Sequence, residues 1–357
     1  MLNIEKPTLI INKDIVLSNI KTALQLSKKL SISLRPHCKT HQSLEVGKWF
    51  KKLGVNTITV SSVDMAKYFS NQWNDITIAF PFNILEIKKV NILLKKCKIN
   101  LLVDSIETIE FLENNLEHEI QVYVKIDLGY KRAGISFKDV KKIKLTIDKI
   151  KKSKMLSFSG FLSHFGNTYN SKNKIDILKT YNNSINNLET LKSNFNQKIN
   201  VTIGDTPSLS ILDKVPDYVN EIRPGNFIFY DLYQNKIGSC SLRNVAMRMI
   251  CPIVSVYPKD KKILIYGGSV HFSKDFIIEK GDKCYGYVYY GNDFWKTSKK
   301  VGYIKSLSQE HGIVKIEKKD NYKVGDLLSI IPIHSCLTAD KMGEYFYDNK
   351  KISMMKT

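Results

Sequence analysis

Along the first two thirds of the chain, short β-rich apolar runs alternate with longer stretches whose apolar residues recur at helical spacing and whose other face carries lysine. The pattern predicts strands at 31–36, 57–61, 76–80, 99–104, 121–127, 158–163, 200–204 and 217–223. It predicts helices at 16–30, 44–53, 84–94, 106–112, 140–150 and 175–191. Strand–helix alternation repeated eight times over roughly 220 residues is the pattern of an α/β fold of the (β/α)8 TIM-barrel type. Beyond about residue 235 the runs continue without long helices, at 245–256, 262–266, 284–290, 303–307, 312–317 and 327–331, so a mainly β C-terminal domain follows. The expected division is a barrel over 8–235 and a β-rich domain over 236–357. The turn-rich stretch 234–239 forms the joint, and the N-terminal segment 1–14, with its Thr8–Ile11 run, is a candidate to join the β-domain.

In a barrel of this kind the chemistry sits past the C-terminal ends of the strands. The residues there are Lys39 between His37 and His41, Ser61 and Ser62, Pro81, Asp104, Asp127 with Arg132, His164, the turn Gly204-Asp205-Thr206, and Arg223-Pro224-Gly225. A lysine at that place can act as a Schiff-base nucleophile rather than as a surface charge.

Composition sets bounds. A chain of 357 residues with 43% hydrophobic and 10% aromatic content is long and apolar enough for two domains with real cores. No apolar run approaches a membrane span, and the N-terminus lacks the basic start and apolar core of a signal peptide, so no membrane association and a cytoplasmic location are expected. The net charge of +21 is spread over every helix and no nucleic-acid reader motif accompanies it, so no nucleic-acid partner is expected. The six cysteines show no C-x-x-C pair, which argues against structural disulfides.

One cysteine stands apart. In Ile331-Pro332-Ile333-His334-Ser335-Cys336 an imidazole and a thiol lie at i and i+2, and an extended segment would put both on one face. Nitrogen plus thiolate favours Zn2+ over magnesium or calcium, and a site with few protein ligands leaves positions for substrate and water. His164, His271 and Glu310 are candidates for a third ligand.

Seven segments, taken in order, carry a resemblance. They are Arg35-Pro36-His37-Cys38-Lys39-Thr40-His41, Asp127-x-Gly129-x-x-Arg132-x-Gly134, Gly160-x-x-x-His164-x-Gly166, Gly204-Asp205-Thr206-Pro207-Ser208, Glu221-Ile222-Arg223-Pro224-Gly225-Asn226, Ser308-Gln309-Glu310-His311-Gly312 and Pro332-x-His334-x-Cys336. Together they resemble the D-serine dehydratase and D-threonine aldolase family of fold-type III, alanine racemase-like pyridoxal 5'-phosphate (PLP) enzymes, over about residues 5 to 345. The resemblance implies a barrel followed by a β-domain, in agreement with the periodicity.

It also implies a chemistry. Lys39 would be the Schiff-base lysine, its pKa lowered by desolvation and by His37, His41 and Arg132 nearby. The turns Gly204-Asp205-Thr206 and Pro224-Gly225-Asn226 would give N–H donors to the cofactor phosphate, and His37, His164 and Arg223 would join them around the cofactor. Arg132 would face the pyridine nitrogen or the O3′ side. Lys39 would then take the α-proton of a D-amino acid, and its β-hydroxyl would leave against zinc on His334 and Cys336, giving a 2-oxo acid and ammonia; D-serine would give pyruvate.

The same resemblance leaves other readings. D-threonine aldolases resemble this chain but usually pair histidine with aspartate, whereas Cys336 points to zinc and dehydration. A D-3-hydroxyaspartate dehydratase would share the His-x-Cys pair. A racemase would use a tyrosine base from the β-domain, for which Tyr285, Tyr287, Tyr289 and Tyr290 are at hand, and a non-catalytic PLP carrier would be a barrel alone. Asn167 stands where many relatives carry histidine. A homodimer acting on a small-molecule D-amino acid is the assembly implied.

Overall fold

The computed structural model describes residues 3–291, 293–318 and 320–355. Met1, Leu2, Lys356 and Thr357, which belong to the predicted segment 1–14 and β-domain 236–357, lie outside the described residues. The chain forms two compact units. One comprises Lys21–Lys39 and Val46–Gly225; the other comprises the residues up to Ile20, Thr40–Glu45, and the residues from Asn226 onward.

Strand β1 (Thr8–Ile11) belongs to the second unit, and the strands of the first follow it. These are β2 (Ser33–Leu34), β3 (Ile58–Val60), β4 (Asp75–Pro81), β5 (Lys98–Val103), β6 (Ile120–Asp127), β7 (Ile135–Ser136), β8 (Leu156–Leu162), β9 (Val201–Ile203) and β10 (Val219–Ile222). All eight predicted barrel strands are present. They pair in parallel in the order β2-β10-β9-β8-β6-β5-β4-β3, and a parallel bridge from His37 to Thr59 joins the two ends. The extra strand β7 pairs with β6.

The helices between them follow their sequence pattern. In Val140–Lys152 the residues Ile143, Thr146, Ile147 and Ile150 are buried at spacings of three and four, while Asp139 caps the N-terminus by accepting the Lys142 N–H and lysines fill the last turn. The barrel interior is partly polar. Arg35 is bonded to Asp75 at 2.7 Å and to Glu221 at 2.6 Å, which ties the first barrel strand to the third and the last. Thr202 extends the network by donating to Glu221 and accepting from Arg223 Nε.

The second unit contains β11 (Met247–Tyr257), β12 (Lys262–Tyr266), β13 (Ile277–Glu279), β14 (Asp282–Cys284), β15 (Gly286–Tyr290), β16 (Lys300–Leu307), β17 (His311–Ile316), β18 (Leu327–Pro332), β19 (Glu344–Tyr347) and β20 (Lys350–Ser353). Six of them, β11-β12-β17-β16-β15-β18, close into an antiparallel barrel, because β18 returns to β11. The long strand β11 makes this possible: its first half pairs with β1 and its second half with β12. β19 and β20 extend the sheet from β1. The stretch 234–239 lies inside this unit, with Gln234 and Ser239 buried. Among the described residues no helix is long and apolar enough to cross a membrane.

Candidate active site

Within the first unit, Lys39 sits in the 3-10 turn Cys38–Thr40 just past β2, and its side chain is exposed where the surrounding backbone is fixed. His37 donates its backbone N–H to the Pro224 carbonyl at 2.8 Å, and its Nδ1 accepts the Lys39 N–H at 3.4 Å. Gly225 follows Pro224 and ends this unit.

His41 departs from the expectation of a cation beside the lysine. It is 1% exposed, its Nδ1 accepts the Ser43 N–H at 3.1 Å, and burial lowers its pKa to about 3, so it is neutral.

His164 is the centre of a positively charged group. It lies just past β8, and its Nδ1 is 2.5 Å from the Gly204 carbonyl, which can only accept; the proton is therefore on Nδ1 and Nε2 is an acceptor. Burial, followed by the charges of Arg132, Lys39 and Lys125, holds its pKa well below the usual histidine range. Arg132 lies over the Tyr130 ring, which meets His164 edge-on. Asp127, by contrast, accepts the Gly129 and Lys131 N–H groups and so shapes the loop that carries Arg132.

Lys125 is a site residue that the strand-end reading does not single out. It is 6% exposed on β6, and burial, then Arg223 and Arg132, lower its pKa to about 7. Arg223, expected at the cofactor, turns its guanidinium into the barrel, where Nε bonds Thr202 and Nη2 bonds the Ser163 carbonyl at 2.8 Å. Its contribution to the site is a fixed positive charge.

The Gly204 turn is built from buried polar groups. Asp205 caps the short helix Thr206–Leu209 by accepting the Ser208 N–H and also accepts the Thr168 hydroxyl; burial raises its pKa to about 6. Thr206 N–H reaches the Tyr169 hydroxyl at 3.3 Å, whereas the buried Thr206 Oγ1 and Asn167 Oδ1 have no hydrogen-bond partner among the described residues. Glycine is required beside them. A Cβ on Gly166 would lie 2.4 Å from the Tyr130 ring and 2.9 Å from His164 Nε2.

A second constellation lies in the second unit. His334 follows β18 in extended conformation as the N-cap of the helix Ser335–Met342, so Cys336 is helical; the extended i, i+2 geometry expected from sequence is not what forms. The two side chains still meet, because a helix start turns the chain back on itself. Burial alone would raise the Cys336 thiol, but its hydrogen bond to His334 and the charge of that ring outweigh burial and lower it. Burial likewise disfavours charged His334, but the Asp275 hydrogen bond at 2.7 Å, Cys336 and Asp231 raise its pKa. Both shifts favour the imidazolium–thiolate form of the pair.

Other polar groups surround the sulfur. Thr40 Oγ1 is 3.2 Å away and Asn226 Nδ2 3.5 Å away. Asn226 Nδ2 also donates to Asp231 at 2.7 Å and to Ser335 at 3.0 Å, and its buried Oδ1 has no partner among the described residues. The Asn226 side chain thus belongs with His334 and Cys336. Among the described residues no three His, Cys, Asp or Glu side chains are gathered as a complete metal site. His271 and Glu310 approach each other, at 3.9 Å.

The four tyrosines named as candidate bases differ in their surroundings. Tyr287 and Tyr289 are buried in the core, Tyr287 donates to Glu279, and Tyr290 donates to Asp326. Burial raises the pKa of Tyr289 to about 12. Tyr285 is half-buried, with its ring against Phe276.

Comparison with known proteins covers both units. A family model described as "Alanine racemase, N-terminal domain" matches residues 11–232, and one described as "Putative serine dehydratase domain" matches residues 246–347. D-serine dehydratase of Dictyostelium discoideum is 30% identical over 390 aligned residues, covering 99% of this chain and 96% of that protein. D-threo-3-hydroxyaspartate dehydratase of Delftia sp. HT23 is 24% identical, covering 97% and 94%. Its solved structure has a TM-score of 0.86 at 21% identity, covering 99% and 98% of the two chains. That enzyme has also been solved as a cysteine-to-alanine mutant in the metal-free form. D-threonine aldolase from Filomicrobium marinum has a TM-score of 0.82 at 18% identity, covering 98% and 95%.

Proposed function

The chain belongs to the D-serine dehydratase and D-threonine aldolase family of fold-type III, alanine racemase-like PLP enzymes, and from that membership we propose that it dehydrates D-serine to pyruvate and ammonia with zinc held by His334 and Cys336. It is a lyase, and dehydration of a D-hydroxyamino acid is the reaction its named relatives support. D-serine is preferred over D-3-hydroxyaspartate because identity is 30% to the D-serine dehydratase and 24% to the hydroxyaspartate enzyme.

The barrel residues fit PLP. The Thr206 hydroxyl and Asn167 carbonyl, without partners among the described residues, lie near the Gly204 turn, and Lys39, Arg132 and Arg223 supply positive charge for a phosphate and a phenolate. When bound, PLP supplies an aldehyde for Lys39 or the substrate amine and a conjugated ring that takes up the electron pair left at Cα.

The residues of the chain do the rest. His164, neutral and anchored through Nδ1, presents Nε2 as an acceptor. Arg132 would face the ring nitrogen or O3′ side, where a guanidinium, which cannot give up its proton, would leave the electron sink weak. Lys39 takes the α-proton. Departure of the β-hydroxyl then calls for a second electrophile.

His334 and Cys336 fit zinc by their chemistry. A thiolate and an imidazole share a proton that a divalent cation can replace, and the partnerless Asn226 Oδ1 is a further oxygen beside them. When bound, zinc supplies the Lewis acid for the β-hydroxyl. The observation that carries the reading is the Cys336 sulfur 3.2 Å from the hydroxyl of Thr40, the residue that follows Lys39 in the chain. The enamine left by loss of water hydrolyses to the 2-oxo acid and ammonia.

The homodimer implied by the family is part of this reading, and light scattering tests it. Product analysis tests the reaction. Purified, PLP-loaded protein is expected to form pyruvate and ammonia from D-serine; glycine and acetaldehyde from D-threonine, without pyruvate from D-serine, would move it to the aldolase branch.

A further inference from the structure

We propose that Asp275 is a positioning residue for the metal, holding the His334 ring with Nδ1 protonated so that Nε2 faces the Cys336 sulfur. The inference rests on the zinc reading of that pair. Its geometric basis is the 2.7 Å contact between Asp275 Oδ2 and His334 Nδ1. An imidazole so held has one nitrogen left for a metal, and a carboxylate on the other nitrogen fixes the tautomer, fixes the ring plane and raises the basicity of the ligand.

Asp275 is itself held in place. It ends a loop, Gly267 to Asp275, whose first residues are bonded through their backbone to Ser308, Gln309 and Glu310: Gly267 N–H to the Glu310 carbonyl at 2.9 Å, Ser269 N–H to Ser308 at 2.7 Å and Val270 N–H to Gln309 at 3.2 Å. The fit is tight enough that a Cβ on Gly268 would lie 2.3 Å from the Gln309 carbonyl oxygen. His271 Nδ1 accepts the Gly268 N–H, and the buried Ser273 accepts the Asp275 N–H through its hydroxyl at 3.0 Å. The Ser308–Gly312 motif thereby gains a role. It is the backing against which the loop presents its carboxylate, and His271 is spent inside that loop rather than on the metal.

The test is zinc affinity, read on metal-free protein by competition with a chromophoric chelator, with thermal unfolding of the same metal-free samples measured alongside. Asp275→Asn keeps the shape of the side chain, and about half of that side chain is exposed, so the fold is expected to survive. The expected result is zinc binding weakened by about 10–100-fold with the metal-free unfolding temperature unchanged. Asp275→Asn that binds zinc as tightly as the wild type overturns the inference, and so does weaker binding matched by an equal loss of metal-free stability. If Asp275→Asn fails to fold, Ser273→Ala, which leaves the carboxylate but removes a group that orients it, is expected to weaken zinc in the same direction; no change overturns the inference. A wild type that binds no zinc, or His334→Ala that binds it equally well, overturns the zinc reading itself.

Discussion

The sulfur of Cys336 lies 3.2 Å from the hydroxyl of Thr40, and Thr40 follows Lys39 in the chain. A hydroxyl that donates to the sulfur favours its charged form, so Thr40 works with His334 to lower the pKa of Cys336.

That ionisation sets cysteine reactivity. Burial pushes the thiols of Cys38, Cys97, Cys240, Cys251 and Cys284 up, whereas Cys336 is lowered and partly exposed. In metal-free protein at neutral pH, Cys336 is therefore expected to alkylate first among the six. Mass spectrometry of iodoacetamide-treated samples reads this, with slowing expected on His334→Ala and protection on adding zinc. Equal labelling of all six would show that the thiolate does not form.

Gly166 packs against both Tyr130 and His164. Gly166→Ala places a methyl group 2.4 Å from the Tyr130 ring, an overpacking expected to cost about 1–3 kcal/mol and to move the His164 ring off its Gly204 anchor. The expected signature is weaker PLP binding in an absorbance titration, together with a lower urea midpoint. Unchanged PLP affinity would remove His164 from the cofactor site.

Lys125 gives a pH dependence of known sign. Its folded-state pKa of about 7 lies below the ordinary lysine value, so between pH 7 and about 10 the unfolded chain binds the extra proton and stability rises with pH. Relative to Lys125→Met, metal-free and PLP-free wild type is expected to gain up to about 1.4 kcal/mol per pH unit across that window. Urea unfolding of both proteins at pH 7.5, 8.5 and 9.5 (chosen to lie about within the window) checks it. A constant difference would mean that Lys125 is charged in the folded barrel.

Arg35 serves stability. Its guanidinium faces Asp75 and Glu221 in the barrel interior, and removing it takes the short ion pair from both carboxylates, leaving Asp75 with Lys98 at 3.5 Å. Arg35→Met is expected to destabilise the fold by about 3–5 kcal/mol in denaturant unfolding. A loss below about 1 kcal/mol would place the cluster in effective contact with water.

The barrel strands were legible because parallel strands buried on both faces give apolar runs, as at Ile58–Val60 and Lys98–Val103. Two hairpins, β13–β14 and β19–β20, went unread although their turns carry a signal: Lys280-Gly281 and Asp348-Asn349 both have positive φ, the requirement of a tight hairpin. At the candidate site the family motifs marked His164, Gly204, His334 and Cys336, but their partners needed the fold. Asp275 is 59 residues from His334, beyond any spacing rule. Lys125 looked like one more lysine in a lysine-rich chain; its signal is its place on the same strand face as Tyr123, both turned toward Arg223. The helix Ser335–Met342 was missed because its one strong mark, Gly343 in the left-handed conformation, stands at its end, far from the His-x-Cys pair.

The most direct test of the account is zinc dependence of D-serine turnover in PLP-loaded protein. Pyruvate formation is followed before chelation, after removal of metal, and after zinc is restored, in the wild type and in Cys336→Ala. The account expects turnover to vanish on chelation, to return with zinc in the wild type and to stay absent in Cys336→Ala. Pyruvate formation that survives chelation, or that Cys336→Ala sustains at the wild-type rate, would contradict it.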